Sequence, residues 1–258
     1  MNTREYARLQ QKPLPPLRKL IRAVLHSLGV PVTPEQTNEV ALRLWRPTVV
    51  ARRANYHTSV RYIADLGTPV NVPPPPAYPF ALLEGTIERA VEGVRINADP
   101  VDEDNRTDIR VIEQARTSIE GPIVRQALAP ARDTVATIGV DQRQQFVGWA
   151  RVLVGAYSCP FCAMLASRGP VYNRRDVDKG RGGSPLTVYH APPNGGVCDC
   201  VAVPVFDGQP WEGQRAHEEL DALWQEHGSL DAFRKAWDKA VRAGETQQYL
   251  PASLQRAA

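Results

Sequence analysis

Residues 158–172 read SCPFCAMLASRGPVY and residues 198–206 read CDCVAVPVF, and these two stretches hold all four cysteines of the chain. Two residues separate Cys159 from Cys162 on a predicted tight turn. This turn lets both sulfur atoms bind one tetrahedral ion, each at a metal–sulfur distance of roughly 2.3 Å. The second stretch can supply the other half of the site. We therefore predict one structural zinc site, whose binding energy would stabilise the surrounding module.

More than one set of residues could supply the remaining metal ligands. Cys198 and Cys200 can both reach one metal only if the chain makes a turn or bulge there. Otherwise His190 supplies the fourth ligand and one cysteine stays outside the site. The candidate metal ligands are Cys159, Cys162, His190, Cys198 and Cys200. Disulfides formed in an oxidising medium, and redox-active thiols or thiols that bind no metal, are the other interpretations.

Upstream, residues 1–66 form a predicted basic helical region. Its first long helix carries apolar residues at three- and four-residue spacing, and Gly29 can end that helix. These residues are Leu17, Leu20, Ile21, Val24, Leu25 and Leu28. A second helix begins after Thr33, where Gln36 can complete a capping box. We expect Pro47 to kink or interrupt this second helix.

A proline-rich linker over 67–79 separates this region from a helical middle region over 80–154. The prolines of the linker fix φ and favour an extended backbone. Gly121-Pro122 and Pro130 should bend the middle region. Its last segment, from Asp141 to Val154, has apolar residues at helical spacing and is predicted to be a helix that leads into the first cysteine pair.

Residues 155–210 form a predicted cysteine-rich α+β module, and residues 211–258 are predicted to be helical, with Ser229 as an N-cap. The predicted strands of the module are Pro170–Tyr172, Thr187–His190 and Val201–Phe206. The fold class is therefore a mainly α protein with a small α+β unit braced by zinc. Its order is a helical N-terminal region, a proline-rich connector, a bent helical middle and C-terminal helices.

Composition and charge limit the classes of function. The chain has 258 residues, of which 43 % are hydrophobic, which is enough for a substantial core. No run approaches the roughly 18 apolar residues of a membrane span, so we expect no membrane contact. Although the formal net charge is only +3, residues 1–66 are strongly basic. That imbalance suits a polyanion or an acidic protein partner, although solvated basic helix faces are common.

The quoted stretches, together with Tyr189-His190, resemble the Mu F-like minor capsid proteins of tailed bacteriophages, particularly phages of actinobacteria. The resemblance implies a structural protein of the virion, made in the host cytoplasm and held inside the capsid near the portal vertex. It implies a role in head assembly, genome packaging or ejection, without catalysis. The implied partners are the portal protein, the major capsid or scaffolding protein, and packaged double-stranded DNA through the basic N-terminal region.

Two enzyme classes are the alternatives. The Cys-Pro-Phe-Cys sequence at 159–162 resembles a glutaredoxin-like oxidoreductase site, which requires a strand leading into the cysteines at a helix N-terminus. The sequence predicts a helix at that place instead. A head maturation protease would need a nucleophile beside a base, and no Gly-x-Ser-x-Gly elbow is present. We therefore predict that the protein is not an enzyme.

Overall fold

The computed structural model describes residues 1–67, 74–75, 77–92, 94–96, 99–141, 146–155, 158–171 and 200–249. The N-terminal half is helical, with α1 at Thr3–Gln11, α2 at Leu14–Leu28, α3 at Pro34–Asp65 and α4 at Phe80–Glu92. A short antiparallel pair, β1 (Arg95–Ile96) and β2 (Asp99–Pro100), precedes α5 at Ile109–Asp141. The mainly α class predicted from the sequence is therefore confirmed.

The bundle is built around α3 and α5, the two longest described helices, which pack against each other and against α2 and α4. The apolar stripe predicted on α2 is buried here, with Ile21 and Leu25 fully covered. Leu44 of α3 and Ile87 of α4 belong to the same core. Each such side chain contributes about 1.5–3 kcal/mol when it is fully buried, so this interface holds the N-terminal half together.

Local signals set the start of α3. The Thr33 side chain accepts a hydrogen bond from the Gln36 N–H, and the Gln36 side chain accepts one from the Thr33 N–H, so the predicted capping box is confirmed. Gly29 ends α2 with a φ of +78°, as predicted, a conformation that costs glycine little.

The three prolines interrupt neither α3 nor α5, while the kink and the bend expected at these positions stay predictions. Helix α3 runs through Pro47 without interruption, and α5 runs through both Pro122 and Pro130. A proline inside a helix removes one backbone hydrogen bond, at a cost of about 3 kcal/mol. Burial of α3 and α5 against each other offsets that loss, so tertiary packing decides where these helices end.

The segment before the first cysteine pair corrects the sequence prediction. Asp141 ends α5, and Phe146–Leu153 form strand β3 rather than a helix. Strand β3 pairs antiparallel with β4, Cys200–Phe206, in a register that places Leu153 opposite Cys200 and Ala150 opposite Val203. Six consecutive residues of β3 and all of β4 are buried. A strand covered on both faces lacks the alternating pattern that identifies a half-exposed one, which is why spacing alone misled.

The C-terminal part agrees with the sequence. After β4 follow α7 at Gln214–His227, α8 at Leu230–Ala243 and a short 3-10 helix at Glu245–Tyr249, while α6 at Pro160–Ser167 lies between the strands. Ser229 caps α8 by accepting a hydrogen bond from the Ala232 N–H. Strand β4 confirms the strand predicted near 201–206. Pro170 and Val171 of the strand predicted at Pro170–Tyr172 are described and are not in a strand, while residues 172 and 187–190 lie outside the described residues.

One hydrophobic cluster includes residues from Tyr6 of α1 to Tyr249 near the described C-terminal end. Most of the predicted linker, 68–73 and 76, lies outside the described residues. Its described end contacts α3, because the Tyr78 carbonyl accepts a hydrogen bond from the Trp45 indole. The proposed domain boundaries stay predictions. Among the described helices, none is both long and apolar enough to cross a lipid bilayer.

Candidate functional site

The first cysteine pair lies where β3 turns into α6. Cys159 is the N-cap of α6, and Pro160 occupies the first helical turn. This arrangement follows from the sequence, because proline is favoured at the start of a helix and the N-cap backbone stays extended. Helix α6 packs against β3 on one side and against α7 and α8 on another. The turn is therefore supported by the strand that precedes it and by two helices that are distant in sequence.

The two thiols of this turn are adjacent. The sulfur atoms of Cys159 and Cys162 are 3.3 Å apart, and the Cys162 N–H donates to the Cys159 sulfur over 3.4 Å. The sulfur separation exceeds the roughly 2.05 Å of a disulfide bond. Two sulfurs bound to one tetrahedral zinc ion at 2.3 Å would lie about 3.8 Å apart, so a small adjustment suffices. Cys162 is fully buried, and Cys159 is partly exposed.

Cys200 occupies a different environment. It is the first residue of β4 and is 3 % exposed, and its sulfur accepts a hydrogen bond from Arg151 Nη1 over 3.6 Å. Arg151 itself is 1 % exposed. A guanidinium this deeply buried needs acceptors close by, so the Cys200 sulfur has a packing and hydrogen-bonding role inside the sheet. Arg151 could not be predicted from the sequence, since a single arginine in an apolar run gives no signal of a partner 49 residues away.

The structure brings together only part of the predicted ligand set. Within the described residues, no three His, Cys, Asp or Glu side chains are grouped so that they could hold a metal ion. Cys200 therefore does not join Cys159 and Cys162. His190 and Cys198, the other predicted ligands, lie outside the described residues. The zinc-braced module stays a prediction, and the donors at 159 and 162 fit half of such a site.

A hydrogen bond from α8 also holds the cysteine turn in place. The indole N–H of Trp237 on α8 donates to the Ser158 carbonyl over 2.8 Å. Both residues are buried, with Trp237 1 % exposed. This bond fixes the residue immediately before Cys159. The Ser158 carbonyl and the Trp237 indole are 79 residues apart, so spacing along the sequence could not identify this pair.

The opposite end of α6 is also tightly packed. Gly169 has a φ of +63°, and a Cβ atom at this position would lie 2.7 Å from the His217 ring of α7. The side chain of His217 thus packs directly over the backbone that leaves α6. The contact gives His217 a packing role.

The structure bears on the two enzyme alternatives in different ways. Strand β3 precedes the cysteine pair, which lies at a helix N-terminus; a thiol oxidoreductase requires this order of elements, and the sequence did not predict it. The serines near the site are engaged otherwise. The hydroxyl of Ser158 donates to the Gly155 carbonyl and that of Ser167 to the Met164 carbonyl, so neither is aligned with a histidine base.

The basic residues of the N-terminal region are only partly available to a polyanion. Arg18 pairs with Glu120, and Arg22 with Glu113, both across to α5. Arg52 is buried, with its guanidinium 4.4 Å from the Tyr78 ring centroid. Arg18 and Arg22 therefore join α2 to α5, and Arg52 joins α3 to the segment just before α4. Several of the positive charges counted from the sequence are thus structural.

Comparison with known proteins identifies the family. The chain is 30 % identical over 169 residues to the Gene 15 protein of Mycobacterium phage D29, an alignment that covers 56 % of this chain and 60 % of the relative. It is 30 % identical over 131 residues to the Gene 15 protein of Mycobacterium phage L5, covering 38 % and 43 %. The chain therefore spans less than two thirds of the curated relatives it matches. No solved structure matches it.

The family match covers the region where the described architecture is built. The model of the VG15 protein family matches residues 86–227, which is more than half of the chain. It includes α5, both strands of the β3–β4 sheet, the Cys159–Cys162 turn and α7. The chain therefore belongs to the VG15 protein family.

Proposed function

We propose that this protein is a structural minor capsid protein of a tailed phage, bound at or near the portal inside the head. It acts there in head assembly, genome packaging or ejection. The observation that carries this proposal is the family membership, since both curated relatives are bacteriophage proteins. The sequence around Cys159, which resembles Mu F-like minor capsid proteins, supports the finer assignment. The portal protein is the proposed partner.

Fractionation of purified particles tests this assignment. Phage carrying an epitope-tagged copy of the gene would be banded by density, and heads would be opened and probed for the tagged chain. We expect the protein to remain with heads and to cross-link to the portal protein. Absence of the protein from particles assembled in its presence would refute a virion role.

We also propose that zinc binds Cys159 and Cys162 together with Cys198 and His190, and that Cys200 lies outside the site. The Sγ–Sγ distance of 3.3 Å at the turn supports the first half of the set. The hydrogen bond from Arg151 to Cys200 supports leaving Cys200 out. A closed site with four protein ligands has no open coordination position, so its role is to stabilise the fold.

Metal analysis of the freshly purified full chain tests this ligand set. We expect one zinc per chain in the wild type, and loss of zinc with a lower melting temperature in Cys159→Ser and Cys162→Ser. Cys200→Ser is the matched control and should keep its zinc. A wild-type protein without zinc, or equal zinc loss in all three variants, would contradict the proposed site.

A thiol oxidoreductase is the second candidate, favoured by the order of β3, cysteine pair and helix. In that reaction the Cys159 thiolate attacks a mixed disulfide and releases one thiol. The Cys162 thiolate then attacks Cys159 of the new mixed disulfide and releases the second thiol, leaving a Cys159–Cys162 disulfide. Metal-free protein that reduces a glutathione mixed disulfide would favour this candidate, whereas zinc-loaded protein without that activity favours the structural role.

A further inference from the structure

Helix α3 carries apolar and basic side chains on the face that points away from the core. Leu42 is 62 % exposed and Val50 is 65 % exposed, although both are aliphatic. Arg46 and Arg53 are also exposed. They lie on the same face as Leu42 and Val50, because the four residues follow one another at intervals of three or four positions. We name these four residues the α3 outer stripe. Trp45, which is 36 % exposed, lies at its edge.

Internal packing does not explain the apolar members of this stripe. The inward face of the same helix is partly polar and is buried all the same. Thr48 donates to the Leu44 carbonyl, and the Asn55 amide donates to the Ala127 carbonyl of α5. Two aliphatic side chains thus face outward on a helix whose buried face holds both apolar and polar groups. Exposed apolar side chains flanked by charged ones are typical of a protein-binding surface.

The charge of the stripe identifies the chemistry of that partner. Within the described part of the chain, no acidic group lies within ion-pairing distance of Arg46 or Arg53. Arg43 beside the stripe is held by Glu39 over 3.5 Å. The stripe therefore has a net positive charge around an apolar centre. An amphipathic helix with apolar residues along its centre and acidic residues at its flanks complements both properties.

A nucleic acid fits this surface less well. Phosphate contacts need basic and polar groups, and exposed aliphatic side chains such as Leu42 and Val50 gain nothing from a phosphate backbone. A second copy of this chain would bring two positively charged stripes together, which is unfavourable. We propose that the α3 outer stripe is a docking surface for an acidic amphipathic helix of a partner protein. This inference deepens the proposed function, because it says how a head protein would hold this chain.

The test uses the full chain and a designed probe. The probe is a peptide of about three heptads with Leu at the two core positions and Glu at the flanking positions. A scrambled peptide of the same composition and a short DNA duplex are the comparison ligands. At about 0.15 M salt, where weak surface attraction is largely screened, the wild type should bind the probe at least tenfold more tightly than the scrambled peptide.

Substitutions on exposed positions separate the apolar and charge contributions. Leu42→Ser with Val50→Ser should weaken probe binding at least tenfold, while Val147→Ser with Leu230→Ser, at exposed positions elsewhere, should leave it unchanged. Arg46→Glu with Arg53→Glu should also weaken binding, and this variant should prefer a probe flanked by Lys. The matched charge control is Lys235→Glu with Lys239→Glu on α8. Unchanged melting temperatures would show that all variants fold.

Several results would overturn the inference. They are equal binding to the probe and the scrambled peptide, no binding to either, or tighter binding to DNA that depends on Arg46 and Arg53 but not on Leu42 and Val50. A concentration-dependent mass abolished by the Leu42 and Val50 substitutions would assign the stripe to a second copy instead. Failure here leaves the particle fractionation result intact, so the inference and the proposed function can fail separately.

Discussion

At the scale of single residues, the site depends on one bond that the sequence does not reveal. Trp237→Phe removes the indole N–H that binds the Ser158 carbonyl and leaves that buried acceptor without its donor. We expect a loss of about 1–3 kcal/mol in the free energy of unfolding. We also expect faster alkylation of Cys159 in the variant, because the turn is less well held.

The control for this prediction is Trp224→Phe. Trp224 is a partly buried ring that packs against Phe233, and no indole hydrogen bond is seen for it in the described part of the chain. Its substitution should cost less and leave the alkylation rate of Cys159 unchanged. Equal rates of alkylation in wild type and Trp237→Phe would show that the bond does not position the cysteine turn.

The residue types of the site were thus readable from the sequence, while their partners were not. The spacing of Cys159 and Cys162 indicated adjacent thiols, and the structure places them 3.3 Å apart. Cys200 was predicted as a further ligand of the same metal, but in the structure its sulfur accepts a hydrogen bond from Arg151. Periodicity describes the direction of side chains along one element, and it carries no information on which distant residue faces them.

At the scale of elements, the packing of α7 on α6 depends on a glycine. Gly169→Ala would place a Cβ 2.7 Å from the His217 ring, and the positive φ of +63° adds backbone strain. Gly208→Ala is the matched control, since its φ is +67° and no heavy atom lies within 4 Å of the added Cβ. Chemical denaturation should show that Gly169→Ala costs about 1–3 kcal/mol more than Gly208→Ala.

The double variant Gly169→Ala with His217→Ala supplies the decisive comparison. Removing the imidazole ring makes room for the new methyl group, so the extra cost should largely disappear. If the double variant is as unstable as the sum of the two single variants, the clash with His217 is not the cause.

Element types were predicted best where caps and amphipathic faces mark them. The capping box at Thr33 and the N-cap at Ser229 set the starts of α3 and α8 at the expected positions. The strand at Phe146–Leu153 was wrongly predicted as a helix, because Phe146, Trp149, Ala150 and Leu153 also fit helical spacing. This segment forms a strand because it pairs with Cys200–Phe206, some fifty residues later, and its own sequence does not reveal that pairing.

At the scale of the whole molecule, a charged cluster joins α2 to α5 and makes stability depend on pH. Glu113 accepts hydrogen bonds from His26, Arg116 and Arg22. These bonds, chiefly that from His26, lower the pKa of Glu113 from 4.5 to about 2. The contribution of Glu113 to stability is therefore complete above pH 4.5 and is lost as the pH falls toward 2.

Urea unfolding of wild type and Glu113→Gln across this range measures the effect. The wild type should be the more stable protein above pH 5, and the difference should shrink as the pH approaches 2. High salt should reduce it, because the Glu113 side chain is 31 % exposed. Glu226→Gln, at an exposed position of α7, is the control. A difference that does not change with pH would show that the cluster does not act through the ionised Glu113 carboxylate.

The bond between Trp237 and Ser158 also has a consequence for biosynthesis. Its two residues are 79 positions apart, so at roughly 5–20 residues per second the ribosome makes them about 4–16 s apart. During that interval Ser158 lacks the indole that binds its carbonyl, so the cysteine turn is not yet held as it is in the folded chain. We expect Cys162, which is fully buried once the chain has folded, to react with metal or oxidant more readily before α8 is made.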